Sequence, residues 1–111
     1  MKTRQEVIAF CLGLDEVYED YPFHDGNWTV MRCRKNKKTF ALIYERDGQI
    51  WINVKVDPEW GVFWRGVYSS VIPGYHMNKK HWNTIILDGS VPIEEVKRMI
   101  RESYELVCPK G

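Results

Sequence analysis

The chain has 111 residues, 44% hydrophobic, 28% charged and 14% aromatic, with a formal net charge of +1. That length suits one domain able to bury its own core, and the balance argues against a disordered chain and against a uniformly basic nucleic-acid binder. No run of about eighteen apolar residues is present to cross a bilayer, and no repeat, low-complexity tract or flexible linker divides the chain.

Thr3 and Glu6 form a capping box, which predicts a helix start. Val7, Ile8, Cys11, Leu12 and Leu14 carry its apolar stripe, and Gly13 ends it. Asp15, Glu16, Glu19 and Asp20 read as a solvated acidic loop, because the Gly turn and bidentate acid of a Ca²⁺ loop are not in position. His24 and Asp25 follow in a Gly-containing loop, where an exposed histidine is the ordinary outcome.

From Trp28 the period becomes two. Trp28, Val30 and Arg32 alternate with Thr29, Met31 and Cys33, a turn follows at Lys35, Asn36 and Lys37, and 39–44 returns as the second strand. Asp47-Gly48 suits a tight hairpin turn. Ile50, Ile52, Val54 and Val56 then face one way, with Trp51, Asn53 and Lys55 facing the other. Asp57 and Pro58 start a short helix whose stripe, Trp60, Phe63, Trp64 and Val67, is expected to pack on the meander. Val71 and Ile72 make a short strand, and 82–87 makes another before the Asp88-Gly89 turn. Pro92 opens the last helix, with Ile93, Val96, Ile100, Tyr104 and Val107 inward. Its wet face carries the i,i+4 pairs Glu94/Arg98, Arg98/Glu102 and Arg101/Glu105.

Cys11, Cys33 and Cys108 are widely spaced, with no C-x-x-C pair and no secretory signal, which predicts reduced thiols and a cytoplasmic protein. Cys11 is read as a small core residue.

Two stretches carry the binding chemistry. The first hairpin tip places Arg32, Arg34, Lys35, Lys37 and Lys38 close together without an acid, a patch that could hold phosphates. A solvated turn that blocks edge pairing has the same composition. The 73–84 stretch concentrates Tyr75, His76, Asn78, Lys79, Lys80, His81, Trp82 and Asn83. His76 and His81 are five apart, which is not the spacing of two zinc ligands on a helix, so no metal or cofactor is expected. Tyr75 and Trp82 can stack on flat ligands or seal a core edge, and Lys79 with Lys80 can hold phosphate or simply face water.

Several segments resemble the MmcQ/YjbR family, described as DNA-binding-like with a double-wing motif. They are Tyr18, Glu19, Asp20, Tyr21, Pro22 and Phe23, then Trp28, the 40–45 strand, Asp57 with Pro58, the 73–84 stretch, and Ser103, Tyr104, Glu105, Leu106 and Val107. The resemblance runs nearly end to end and implies a CyaY-like α+β domain. Read with the pattern above, it predicts one antiparallel sheet of about five strands covered by the first and last helices, in the order α-β-β-β-α-β-β-α.

Function is then expected to be binding without catalysis, since no nucleophile elbow, phosphate loop or dinucleotide fingerprint occurs. One reading is weak, salt-dependent binding of DNA by a monomer through Arg32, Arg34, Lys35, Lys37, Lys38, Lys79 and Lys80. The other is a pocket for a small anionic or aromatic ligand, or a protein partner, lined by Tyr75, His76, Asn78, Lys79 and Trp82.

Overall fold

The computed structural model describes residues 1–109. The elements run α1 (Arg4–Leu12), β1 (Val17–Asp20), β2 (Thr29–Cys33), β3 (Thr39–Arg46), β4 (Gln49–Lys55), α2 (Pro58–Val67), β5 (Val71–Pro73), β6 (Trp82–Ile86) and α3 (Ile93–Val107). All strands join one antiparallel sheet in the order β1-β2-β3-β4-β6-β5.

The expected α+β architecture is present, with six strands where about five were anticipated. The additional strand is β1, drawn from the acidic segment that reads as a loop. Its Val17 enters the core, and Asp20 meets the Arg32 guanidinium of β2 at 2.8 Å. A short, charged outermost strand is a poor template for a further strand, which suits its place at the sheet edge.

Helix α1 begins as its capping residues predict: the Thr3 hydroxyl accepts from the Glu6 amide at 3.2 Å, while the Glu6 carboxylate accepts from the Lys2 amide at 3.2 Å. Helices α1 and α3 lie over one face of the sheet, where Met31, Ile43, Ile52, Val54 and Ile85 meet Val7, Cys11, Val96, Met99 and Ile100. The turn between β3 and β4 places Asp47 and Gly48 at φ 54° and 75°, the positive angles an Asp-Gly hairpin turn requires.

Four expectations change. The α3 stripe is rotated so that Val96, Met99, Ile100 and Ser103 are buried, while Ile93 is 45% exposed. The rotated face sets Ser103 against a bulge: β2 and β3 pair Met31 with Ala41 but Arg32 with Thr39, so Phe40 is an extra residue. Ser103 Oγ donates to the Phe40 carbonyl at 2.5 Å and accepts from the Lys55 amide at 2.8 Å, joining β3 to β4 where they do not meet directly. Of the i,i+4 pairs only Arg98–Glu102 forms among the described residues, at 3.4 Å. Arg98 also lies 5.5 Å from the Trp64 ring centroid and Arg101 lies 5.7 Å from that of Phe10.

The α2 stripe is only partly used. Trp64 is buried, but Trp60, Phe63 and Val67 are about half exposed, because α2 packs beside β5 and β6 at the sheet edge and not across the meander. Cys33 and Cys108, expected as free thiols, are joined by a disulfide across a sequence separation of 75. The β2 end and the last turn of α3 adjoin in space, a proximity that spacing along the chain does not disclose. Cys11 is buried in the core as expected, and burial pushes its thiol up to about 12.

Candidate binding cleft

The second face of the sheet carries Val30, Leu42, Tyr44, Trp51, Asn53 and Thr84, directed away from the helices by strand alternation. All but the half-buried Trp51 are buried, although no helix among the described residues covers them. Their cover is two irregular segments, 21–28 and 74–81, which meet over Tyr44. The Trp28 ring stacks on Tyr44 at 4.0 Å between centroids, and the Tyr75 ring stacks on it at 6.0 Å.

Each segment is fastened by specific polar contacts. Asn53 Oδ1 accepts from the Tyr44 hydroxyl at 2.8 Å and the Thr84 hydroxyl at 2.6 Å, while its Nδ2 donates to the Tyr75 carbonyl at 2.9 Å. The Tyr75 amide donates to Thr84 Oγ1 at 2.8 Å, so both backbone groups of Tyr75 end on this buried set. Burial also raises the Tyr44 phenol to about 12. Gly74 makes the approach possible: a Cβ there would stand 2.7 Å from Trp82 Cβ and 2.9 Å from the Trp82 carbonyl oxygen. On the outer side Arg46 donates to the Tyr75 hydroxyl at 2.7 Å and lies 4.4 Å from its ring centroid.

The 21–28 segment is tied through Asn27, whose Nδ2 donates to the Glu45 carbonyl and whose Oδ1 accepts from the Glu45 amide, each at 2.9 Å. The side chain thus serves as one more rung beyond the end of β2. Arg4 of α1 donates to the Asn27 carbonyl and, at 2.8 Å, to its Oδ1. Asp25 Oδ1 accepts the Asn27 amide at 2.9 Å.

Between the two segments lies a cleft of about 360 Å³ lined by Phe23, Asp25, Trp28, Leu42, His76 and Met77. Leu42 comes from the sheet, and the Phe23 ring stands edge-on to Trp28 at 6.3 Å. His76 occupies the left-handed backbone region at φ 60°, where non-glycine residues are uncommon and cluster at functional positions.

Of the pocket residues anticipated in the 73–84 stretch, only His76 lines this cleft. Tyr75 forms the layer beneath. Asn78 is exposed and caps its own turn, accepting from the Lys80 amide at 3.0 Å. Lys79 Nζ donates to the Gly74 carbonyl at 2.7 Å, and Trp82 is half-buried at the start of β6 beside Gly74. The lining residues not anticipated are Phe23, Asp25, Trp28, Leu42 and Met77. A signal existed for all of these but Asp25, since Phe23, Trp28, Leu42 and Met77 lie in the segments that carry the family resemblance.

The cationic residues divide. Arg32 is engaged with Asp20 and also donates to the Lys37 carbonyl at 3.0 Å and the Thr39 hydroxyl at 3.1 Å. Arg34, Lys35, Lys37 and Lys38 are exposed and make no ion pair among the described residues, though the Arg34 guanidinium lies 5.5 Å from the Tyr18 ring centroid. Lys79 and Lys80 are exposed as well. Strand register brings the tip and the start of β6 to the same end of the sheet. Asn36 holds the tip to α3 by donating to the Val107 carbonyl at 2.9 Å, whereas 74–81 folds over the opposite face. The two cationic stretches therefore lean to different sides.

The YjbR family model matches residues 12–106. The chain is 26% identical to the uncharacterized protein YjbR of Escherichia coli K12, over 93% of this chain and 85% of that protein. It is 31% identical to the uncharacterized protein YyaQ of Bacillus subtilis, over 96% and 98%. Among solved structures it resembles Deinococcus radiodurans DR2400, a DUF419 protein, with a TM-score of 0.87 at 36% identity, covering 96% of this chain and 78% of that one. A Pseudomonas syringae protein superposes with a TM-score of 0.84 at 28% identity, covering 95% and 98%. Matches that run through both covering segments and the sheet beneath them make this chain a member of the YjbR family.

Proposed function

We propose that the chain is a binding domain without catalytic chemistry, and that its ligand is a small molecule with a flat, apolar body held between the 21–28 and 74–81 segments. The observation that carries this reading is convergence. The Tyr-Pro-Phe segment and the 73–84 stretch, some fifty residues apart in the chain, supply Phe23 and His76 with Met77 to opposite walls of one cleft. A cavity of this size, with aromatic and aliphatic walls and a few polar groups, matches the usual form of a small-ligand site.

Binding is read from tryptophan fluorescence, to which Trp28 in the cleft lining contributes as one of five tryptophans, alongside thermal stability. A ligand that binds the native state alone raises the midpoint. Aromatic compounds should shift both signals, and Trp28→Ala should abolish the shifts. If no aromatic compound moves either signal in the unmodified protein, this reading falls.

A second reading, weak DNA binding at the hairpin tip, is favoured by one observation: Arg34, Lys35, Lys37 and Lys38 are exposed with no carboxylate partner among the described residues. Replacing Lys37 and Lys38 by alanine should weaken binding of double-stranded DNA at low salt and flatten its salt dependence. Equal binding by the variant at every salt concentration would remove this reading. Arg32→Ala is a poor probe, since it breaks the Asp20 contact.

A further inference from the structure

We infer that the ligand of the cleft is an organic cation, such as an aromatic or methylated ammonium compound. This rests on the cleft reading and narrows the anionic or aromatic ligand expected from the 73–84 stretch. Among the described residues the lining includes Asp25 but neither lysine nor arginine. Asp25 makes no ion pair among the described residues: Oδ1 takes the Asn27 amide, and Oδ2 has no protein donor there. A carboxylate at the edge of an apolar wall favours a positive charge and opposes a negative one.

The aromatic lining points the same way. Phe23 and Trp28 offer ring quadrupoles, which attract cations and account for the use of aromatic cages to hold quaternary ammonium groups. Three nearby cations are turned to other partners. Lys79 is bound to the Gly74 carbonyl, Arg46 lies against Tyr75 and Trp51, and Arg4 is bound to Asn27. A cationic ligand would thus enter an aromatic site with one available carboxylate and would displace no existing ion pair.

The test uses three compounds of similar bulk and different charge: phenyltrimethylammonium, 4-tert-butylphenol and 4-tert-butylbenzoate. Affinities come from titration calorimetry and are checked by tryptophan fluorescence. The cation should bind roughly fivefold or more tightly than the neutral compound, and the anion weakest of the three. Asp25→Asn, which keeps the oxygen that accepts the Asn27 amide, should reduce the cation's advantage over the neutral compound, the remainder coming from the rings of Phe23 and Trp28. Met77→Lys, at a half-buried position, should repel the cation and admit the anion. Neutral or anionic binding as tight as the cation's, or an Asp25→Asn variant that keeps the preference undiminished, would overturn the inference and leave the cleft reading standing. If none of the three binds the unmodified protein, the inference is overturned, and the cleft reading falls with it when no other aromatic compound moves either signal.

Discussion

Ser103 is a polar residue at a fully buried helical position, and its hydroxyl completes the sheet at the Phe40 bulge. Ser103→Ala would leave the buried Phe40 carbonyl and the part-buried Lys55 amide without this partner, each worth about 1 to 3 kcal/mol. We expect a loss of at least about 2 kcal/mol in urea unfolding; a loss under about 0.5 kcal/mol would show that the strands close without it. Titration supplies a second residue-level prediction. Cys11 and Tyr44 ordinarily ionise near 9.0 and 10.0, and burial raises both to about 12. The unfolded chain therefore releases these protons first, so their contribution is complete below about pH 9 and is lost as pH climbs toward 12. Cys11→Ala should make the decline of the urea midpoint between pH 9 and 11 shallower; an unchanged slope would exclude Cys11 as a source. At this scale Cys11 was legible, as an apolar position on a helical stripe. Ser103 was not, because nothing in its local sequence announces a bulge on a strand sixty-three residues away.

Elements formed where local chemistry demanded them: the Thr3 cap, the Asp57-Pro58 start and the Asp47-Gly48 turn all act as their residue types imply. Which face an element buries was less legible, since that depends on what lies opposite. Helix α2 has one apolar stripe by periodicity, yet its edge position buries Trp64 and leaves Trp60 half in water. Trp64→Ala should accordingly cost about 3 to 5 kcal/mol, and Trp60→Ala less than about 1.5 kcal/mol. Similar losses in chemical denaturation would contradict the partial docking of α2. Segment 74–81 offers a sharper case. Gly74→Ala would place a methyl against Trp82 and force the segment from β6, so Trp28 fluorescence and ligand response should change together. A variant that retained the parental spectrum and binding would show that the segment adapts at no cost.

For the molecule as a whole, sequence alternation assigned strand faces correctly but gave no account of what lies over the second one. Asn53 and Thr84 look like outward polar positions, although both are buried beneath 74–81 and hydrogen-bonded to it. Strand period cannot tell a polar side chain bound to an irregular segment from one bound to water. The cleft is not visible in the sequence for the same reason, being assembled from segments without periodicity. The disulfide also belongs to this scale. Closing a loop of this length stabilises by roughly 4 kcal/mol in the chain-entropy account. Reduction should therefore lower the urea midpoint with folding retained, and a Cys33→Ser, Cys108→Ser variant should behave like the reduced protein with or without reductant. Identical midpoints for oxidised and reduced protein would show that the bond adds nothing.

That covalent link also determines how the molecule bears a load. A pull applied beyond Pro109 does not peel α3 away turn by turn, because tension passes through Cys108 to Cys33 on β2, beside the edge strand. The intervening segment is a closed ring and remains slack until the bond is cut. An unfolding motor that grips this end would have to shear a paired strand from its neighbours, whereas one that grips the Met1 end meets only α1 and β1 before reaching the same knot. Oxidised protein should resist directional unfolding from one end far more than from the other, and reduction should abolish that polarity.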